Sequence, residues 1–249
     1  MSGFRSSRAI VAGRALVDDT VKLYGRVVIG ERALIEAFCL IGHPCQADID
    51  CGLIERNLDD GGGEEAGLDA FYDRVATAGT QIEAGTIVRS SSVIYDGATI
   101  REHCDIAHSV VVRESATVGP YTRVLPFTSI RRGATIGRGC HVAGLVSARS
   151  VVGDYVSTLG FLVHEYTAGV SGLTEAAPVI RSGVIIGRTA AVVGGVTVGE
   201  FALVAAGAIV RADVEPNAIV AGDPARIVGR RSEEDILQLR ARIAAQKWG

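Results

Sequence analysis

A six-residue beat constrains this chain more than any other feature. Ile82, Val88, Ile94, Ile100, Ile106, Val112, Val118, Val124, Ile130, Ile136 and Val142 are branched aliphatics spaced six apart without interruption. The position four beyond each is just as restricted, running Thr86, Ser92, Ala98, Cys104, Val110, Ala116, Thr122, Thr128, Ala134, Cys140, Val146. A period of six with one large and one small slot fits neither a helix nor a half-buried strand; it is the pattern of a hexapeptide β-helix. Each hexapeptide then makes one short flat side plus a corner. Three make a triangular coil, and successive coils hydrogen-bond as parallel strands about 4.8 Å apart. The aliphatic fills the prism and the small residue fits under the turn. The other positions point outward or sit in corners that favour unusual backbone angles.

The beat recurs in two further segments, each in a new phase. The first holds Val11, Val17, Leu23, Ile29, Ile35 and Ile41, with Ala15, Val21, Val27, Ala33, Cys39 and Cys45 in the small slot. The second holds Ile180, Ile186, Val192, Val198, Val204 and Val210, with Val184, Ala190, Val196, Ala202, Ala208 and Val214. Insertions at 43–79 and 147–179 must absorb the phase changes. The expected fold class is therefore all-β: a parallel β-helix over 1–231 with those two loop insertions, followed by a C-terminal α-helix over 232–249. Ser232 with Asp235 is a helix-start signal, and Ile236, Leu237, Leu239, Ile243 and Ala244 fall on one apolar face. The insertion 43–79, whose stretch 58–70 (LDDGGGEEAGLDA) is acidic and Gly-rich, reads as an excursion mobile at its centre, a lid or a solvated arm, with a short helix near Asp69 to Ala76.

Composition narrows the partners. Aromatics make up 5% of the chain, as suits a thin prism with little room for rings, and the net charge of −3 gives nothing to attract nucleic acid. No apolar run approaches the roughly 20 residues that span a bilayer, and Met1 to Arg14 lacks a signal-peptide core, so a cytoplasmic protein without membrane contact is expected. Of the five cysteines, Cys39, Cys45, Cys104 and Cys140 occupy the small inward slot, where Cys behaves as a compact apolar residue, and no CxxC pair suggests zinc.

The stretch PVIRSGVIIGRTAAVVGGVTVGEFALVAAGAIVRADVEPNAIVAGDPARIVG, from Pro178 to Gly229, resembles the closing coils of left-handed β-helix acyltransferases, especially the nucleotide-sugar N-acetyltransferases. That resemblance implies a left-handed prism, a homotrimer with sites between subunits, and acetyl-CoA or another acyl-CoA as co-substrate in the cleft between prisms. It places the pantetheine arm along Gly187, Ala205, Ala206 and Gly207, with Arg211, Pro224 and Arg226 near the nucleotide end. The family's Asn-Asp pair before the last coils is absent; GFLVHEYTAG stands there, and His164 and Glu165 are the polar residues that could replace it.

Acyl transfer to an amine or hydroxyl needs a base near the attacking atom and donors near the developing oxyanion. Among His43, His103, His108, His141 and His164, His108 lies two positions after the inward Ile106, in an outward slot of a face with little charge, so core packing does not account for it. Stacking coils eighteen apart puts Ser90, His108, Pro126 and Gly144 in one row, with Ser91, Ser109, Phe127 and Leu145 beside it. The run IAHSV also resembles IAHDC, the segment bearing the catalytic base in the UDP-N-acetylglucosamine acyltransferases. His108 is thus the expected general base, and Ser90, Phe127, His141, His164 and Glu165 are candidate acceptor contacts. The bland alternative is a surface histidine at a subunit contact.

The function expected is acetyl or short-acyl transfer from acyl-CoA to a small polar acceptor, an amino sugar or nucleotide-linked amino sugar first, by direct attack and with no metal. Two rivals exist. His103 and His108 have the five-residue spacing of gamma-class carbonic anhydrase ligands, although one position out of phase and without a third histidine upstream. A non-catalytic hexapeptide scaffold is the other.

Overall fold

The computed structural model describes residues 3–58, 67–164 and 176–245. Its body is a parallel β-solenoid whose two- to five-residue strands assemble into three sheets of ten, nine and eleven strands. Up to Ile209–Val210 the chain visits the sheets in strict rotation, so they form three faces of a triangular prism. Face 1 runs from Phe4–Arg5 to Ile209–Val210, face 2 from Ile10–Val11 to Thr197–Val198, and face 3 from Leu16–Val17 to Arg226–Arg230. Every pairing is parallel except the last on face 3, where Ala218–Ala221 meets Arg226–Arg230 antiparallel and closes that end.

The six-residue aliphatics are the filling of this prism. From Ile82 to Val142 each is at most 1% exposed, and the small-slot residues from Thr86 to Cys140 are similarly enclosed. Where the small residue is hydroxylated, it closes the turn by hydrogen bonding: Thr86 Oγ1 donates to the Arg101 carbonyl (2.7 Å) and Ser92 Oγ to that of Ala107 (3.0 Å). A polar atom is thereby buried without being left unpaired.

Both insertions leave the prism at the same edge. The first departs after Leu40–His43 on face 1 and returns at Thr80–Ile82 on face 2. It contains α1 (Gln46–Leu58), which the sequence pattern did not signal, and α2 (Leu68–Val75), which matches the expected short helix. α2 is clamped to the prism: Lys22 Nζ reaches Asp69 at 2.8 Å, Tyr24 Oη donates to the same carboxylate at 2.7 Å, and the Gly25 amide donates to Asp73 at 2.7 Å. Phe71 and Val75 are buried, and Gly52 lets α1 approach them, since a Cβ there would collide with the Val75 side chain. These described parts are therefore docked rather than a free lid. Of the acidic, Gly-rich stretch 58–70 in this insertion, residues 59–66 lie outside the described residues.

The second interruption is narrower than 147–179. Strands Val151–Val152, Ser157–Thr158 and Phe161–Leu162 continue the prism, and the chain leaves only after Leu162, to return at Val179–Ile180. The phase change begins earlier, at a shortened corner. Ser129 pairs with Leu145, sixteen residues on, whereas Val111 pairs with Ser129 at eighteen. The Gly144 carbonyl accepts from the Ser129 amide as that of Thr128 accepts from Val111, so Gly144 takes the place of Thr128, not of Pro126. Leu145 lies on a strand rather than beside Phe127, and Val146 fills the large inward slot instead of the small one. The same shortening recurs at Gly160. At both glycines the coils touch: a Cβ on Gly144 would sit 2.5 Å from the Gly160 carbonyl oxygen, at a φ of +79°.

The cysteine expectation holds for three of the four inward positions. Cys39, Cys104 and Cys140 are buried, with burial pushing their thiols up to about 11, 12 and 12. Cys45 instead precedes α1, its amide donating to Asp48 at 2.9 Å, and Cys51 is exposed. At the C-terminus Ser232 and Asp235 cap α3 (Glu233–Ala245) reciprocally, and Arg240 lies 4.9 Å over the Phe201 ring, which seats the helix on its own prism.

Two outcomes follow from this packing. Ile106→Ala should lower stability by about 2–5 kcal/mol in denaturant titration, while the outward Thr117→Ala should stay within about 0.5 kcal/mol. Iodoacetamide mapped by mass spectrometry should modify Cys51 in the native protein and reach Cys39, Cys104 and Cys140 only after unfolding.

Candidate functional site

His108 sits at the edge where face 3 turns into face 1, with an exposed imidazole. The eighteen-residue stacking with Ser90 holds: Ser90 Oγ lies 2.9 Å from His108 Nδ1. One coil further out is Glu36, which the sequence reading missed. Its Oε2 accepts from the Ser90 amide at 3.1 Å and stands 3.9 Å from His108 Nδ1. Both oxygens face the same ring nitrogen, so a proton on Nδ1 would be shared with them and Nε2 would then be the acceptor. This differs from a nucleophilic triad, in which serine and carboxylate bind opposite nitrogens. Ser90 is an orienting group here.

Charge continues from Glu36 along face 3. Arg89 bridges Glu36 (3.3 Å) and Asp105 (3.1 Å), and Arg123 follows 3.8 Å beyond Asp105. His141 occupies the next outward position of this face, beside Arg123 in register. Burial, reinforced by the Arg123 guanidinium, holds its imidazole below the usual histidine range.

The turn residues of the same edge form a second column, Phe38, Ser91, Ser109 and Phe127, all at φ between 57° and 63°. Their amides climb the stack, Ser91 to Ala37, Ser109 to Ser90, Phe127 to His108. Phe38 and Phe127 are 61% and 79% exposed, three coils or about 14 Å apart, and frame the serines and His108 between them. Further along this edge lie Gly187, Ala205, Ala206 and Gly207, four to five coils or about 19–24 Å from His108. The shortened corners at Gly144 and Gly160 fall between. Of the remaining expected cofactor contacts, Pro224 lies in the turn before Arg226–Arg230, and Arg226 is exposed on that closing strand. Arg211 follows face 1 and belongs to a different edge.

His164 is not brought to His108. It lies at the edge between faces 1 and 2, its Nε2 2.8 Å from the Ala148 carbonyl, and lines a cavity of about 760 Å³ roofed by the start of α1. Glu165 lies outside the described residues. The anhydrase-like pair is also separated: His103 sits at the edge between faces 2 and 3, stacked on Tyr121 at 5.1 Å, while His108 lies beyond the intervening strand on another edge. His43 packs among Tyr24, Tyr72 and Tyr95 beneath the first insertion, and burial depresses its basicity. Among the described residues no cluster of three or more metal-ligating side chains occurs, and no helix is long and apolar enough to cross a membrane.

No protein-family model matches the chain. Over 67 residues, 26% of this chain, it is 49% identical to a 2,3,4,5-tetrahydropyridine-2,6-dicarboxylate N-acetyltransferase of Staphylococcus aureus strain JH9, covering 28% of that protein. Over 100 residues, 38% of this chain, it is 35% identical to a chloramphenicol acetyltransferase of Agrobacterium fabrum, covering 46%. The chain is similar to hexapeptide-repeat acetyltransferases. It spans less than half the length of these curated relatives. Among solved structures, serine acetyltransferase in complex with coenzyme A from Brucella abortus strain S19 shares 36% identity over 40% of each chain, with a TM-score of 0.34.

The two half-buried histidines give a pH signature. His43 and His141 bind a proton less readily folded than unfolded, so the unfolded state takes up protons first as pH falls. Their contribution is complete above the ordinary value of about 6.5 and is lost as pH drops through the depressed folded values. Urea midpoints measured from pH 7.5 to 5 should therefore fall, and His141→Gln should reduce the slope.

Proposed function

We propose that this protein is a CoA-dependent acyltransferase, moving an acetyl or other short acyl group to an amine or hydroxyl of a small polar acceptor, with His108 as general base. The carrying observation is the His108–Ser90–Glu36 arrangement, which directs the basic Nε2 outward on the edge that also bears Gly187, Ala205 and Ala206. Similarity to acetyltransferases over 26–38% of the chain supports the acyl chemistry.

In this reading Nε2 takes the acceptor's proton as its nitrogen or oxygen bonds to the thioester carbonyl carbon. The tetrahedral oxyanion is held by backbone amides, and its collapse breaks the C–S bond. The imidazolium returns the proton to the departing thiolate of coenzyme A, so atoms and charge balance without a covalent enzyme intermediate. The donor's arm would follow the small corner residues of the later coils, where Gly144 and Gly160 draw the edge inward.

An amino sugar or nucleotide-linked amino sugar is the acceptor class we favour. Exposed Phe38 and Phe127 offer apolar ring faces at either end of a row of serine hydroxyls and a carboxylate, a combination suited to a sugar's apolar face and hydroxylated rim. The relatives' names specify a tetrahydropyridine dicarboxylate and chloramphenicol, so the repeat itself does not select the acceptor. A homotrimer in the cytoplasm completes the reading. The outward residues of face 1 include Leu40, Val93, Val111, Phe161 and Ile209, apolar positions that a neighbouring prism would cover.

Coenzyme A release should fall about 100- to 10,000-fold in His108→Ala with acetyl-CoA binding unchanged by calorimetry, and roughly tenfold in Ser90→Ala. Full turnover by His108→Ala would remove the proposed base, and a wild-type protein that binds no acetyl-CoA would make the prism a scaffold.

A further inference from the structure

The cavity beneath α1 has no part in the chemistry above. Its floor is the edge between faces 1 and 2, the edge from which both insertions depart, and it occupies the stretch between those two departures. Stacked coils supply two columns there: Arg113, Arg131, Ser147 and Val163, then Glu114, Arg132, Ala148 and His164. Cys45, just before α1, and Gln46, Ala47 and Asp50 at the start of the helix cover them. At about 760 Å³ the space falls within the size range of small-molecule sites.

Its charges are unequally satisfied. Arg113 is held by Glu114 through Nε at 2.7 Å and stacks 4.5 Å over Tyr95. Asp50 accepts from Gln46 at 2.8 Å within α1. Arg131 and Arg132, adjacent in sequence and both exposed, have no acidic or hydrogen-bonding side-chain partner among the described residues. Among the described residues these two guanidinium groups of the cavity lining carry no ion pair, the lining carboxylates Glu114 and Asp50 being engaged by Arg113 and Gln46, while Leu145 and Val163 give the adjoining wall an apolar surface. That combination fits a ligand with a doubly charged head and an uncharged body. A phosphate monoester carries close to two negative charges near neutral pH and presents several acceptor oxygens to paired guanidinium groups.

We propose that this cavity is a binding site for a small organic phosphate, its phosphoryl group held by Arg131 and Arg132 and its uncharged body resting against Leu145 and Val163 under α1. The site is separate from the His108 edge, and the proposal does not rest on acyl transfer.

The test is isothermal titration of the full-length protein with glycerol 3-phosphate, inorganic phosphate and succinate, without acetyl-CoA. Glycerol 3-phosphate should bind more tightly than either of the other two. The double variant R131A/R132A should weaken it at least tenfold with an unchanged melting curve, since neither side chain supports the fold. His108→Ala and the distant Arg14→Ala should bind it within twofold of wild type. A double variant that binds as wild type does, or loss of binding in His108→Ala, overturns the assignment. Inorganic phosphate binding as tightly as the ester would remove the role of the apolar wall, and succinate binding as tightly would remove the preference for phosphate. In a second measurement, Leu145→Asn should weaken the ester and leave inorganic phosphate unchanged; equal effects on both would overturn the placement of the body.

Discussion

Every other feature of this molecule depends on coil-to-coil backbone pairing along three faces. A strand two residues long has almost no stability alone, yet each one here is paired on both sides wherever a neighbouring coil exists. Buried backbone groups must be paired, so each coil has to return to the same three faces in register. That requirement makes side-chain rows a geometric necessity. An aliphatic that points inward in one coil stacks on the aliphatics above and below, and an outward residue acquires neighbours about 4.8 Å away on either side. Ser90 meets His108, and Arg123 meets His141, because the ladder leaves them no alternative.

The same requirement dictates where the chain is free to vary. Within a face, an extra residue would disrupt pairing with two neighbours and rotate side chains from core to solvent. At a corner, an excursion of any length costs chiefly the entropy of closing a loop, which grows slowly with length. Both insertions accordingly begin at corners, and both shortened coils lose their residues at a corner, the one carrying Gly144 and Gly160. The three edges thus become chemically different. The edge between faces 1 and 2 gains helices and a cavity, and the edge between faces 3 and 1 carries His108 and its aromatic frame. The edge between faces 2 and 3 keeps plain turns, such as the three successive ones whose His103, Tyr121 and Arg138 stack on one another.

Legibility in the sequence follows this division. The aliphatic beat revealed the prism and its burial because one rule governs every coil, and the pairing of Ser90 with His108 was readable because no insertion separates them. Phe38 belongs to the column of Ser91 and Ser109, and Glu36 to the neighbouring row of Arg89, but both stand on the far side of α1 and α2. Excising 43–79 and stacking Ile35 on Val88 would have found them. Gly144 and Leu145 were misplaced because a count of six was carried through a corner that is two residues shorter, and a lone glycine does not announce a deletion. Cys45 kept the beat by coincidence at the point where the chain had already left the prism. The cavity had no signal, since Arg131, Arg132 and His164 become neighbours only when the interrupted coils are stacked and α1 is laid over them.

Phe127 gives the physical distinction between a residue kept for the fold and one kept for something the fold presents. The left-handed turn it occupies costs a residue with a Cβ roughly 1–2 kcal/mol, and a bulky side chain there is an outlier. Glycine fills the corresponding turn at Gly207 without that cost. The ring recovers nothing by packing, because it is 79% exposed. The backbone bond from its amide to His108 would form equally well with glycine in its place. Phe38 presents the same imbalance three coils away. Among the described residues neither of these solvent-facing rings, on the edge that also holds the exposed His108 imidazole, stacks on another ring or on a guanidinium. A surface or molecule received by this edge would supply the compensation, and removing the rings should then affect that encounter while sparing, or even raising, the stability of the prism.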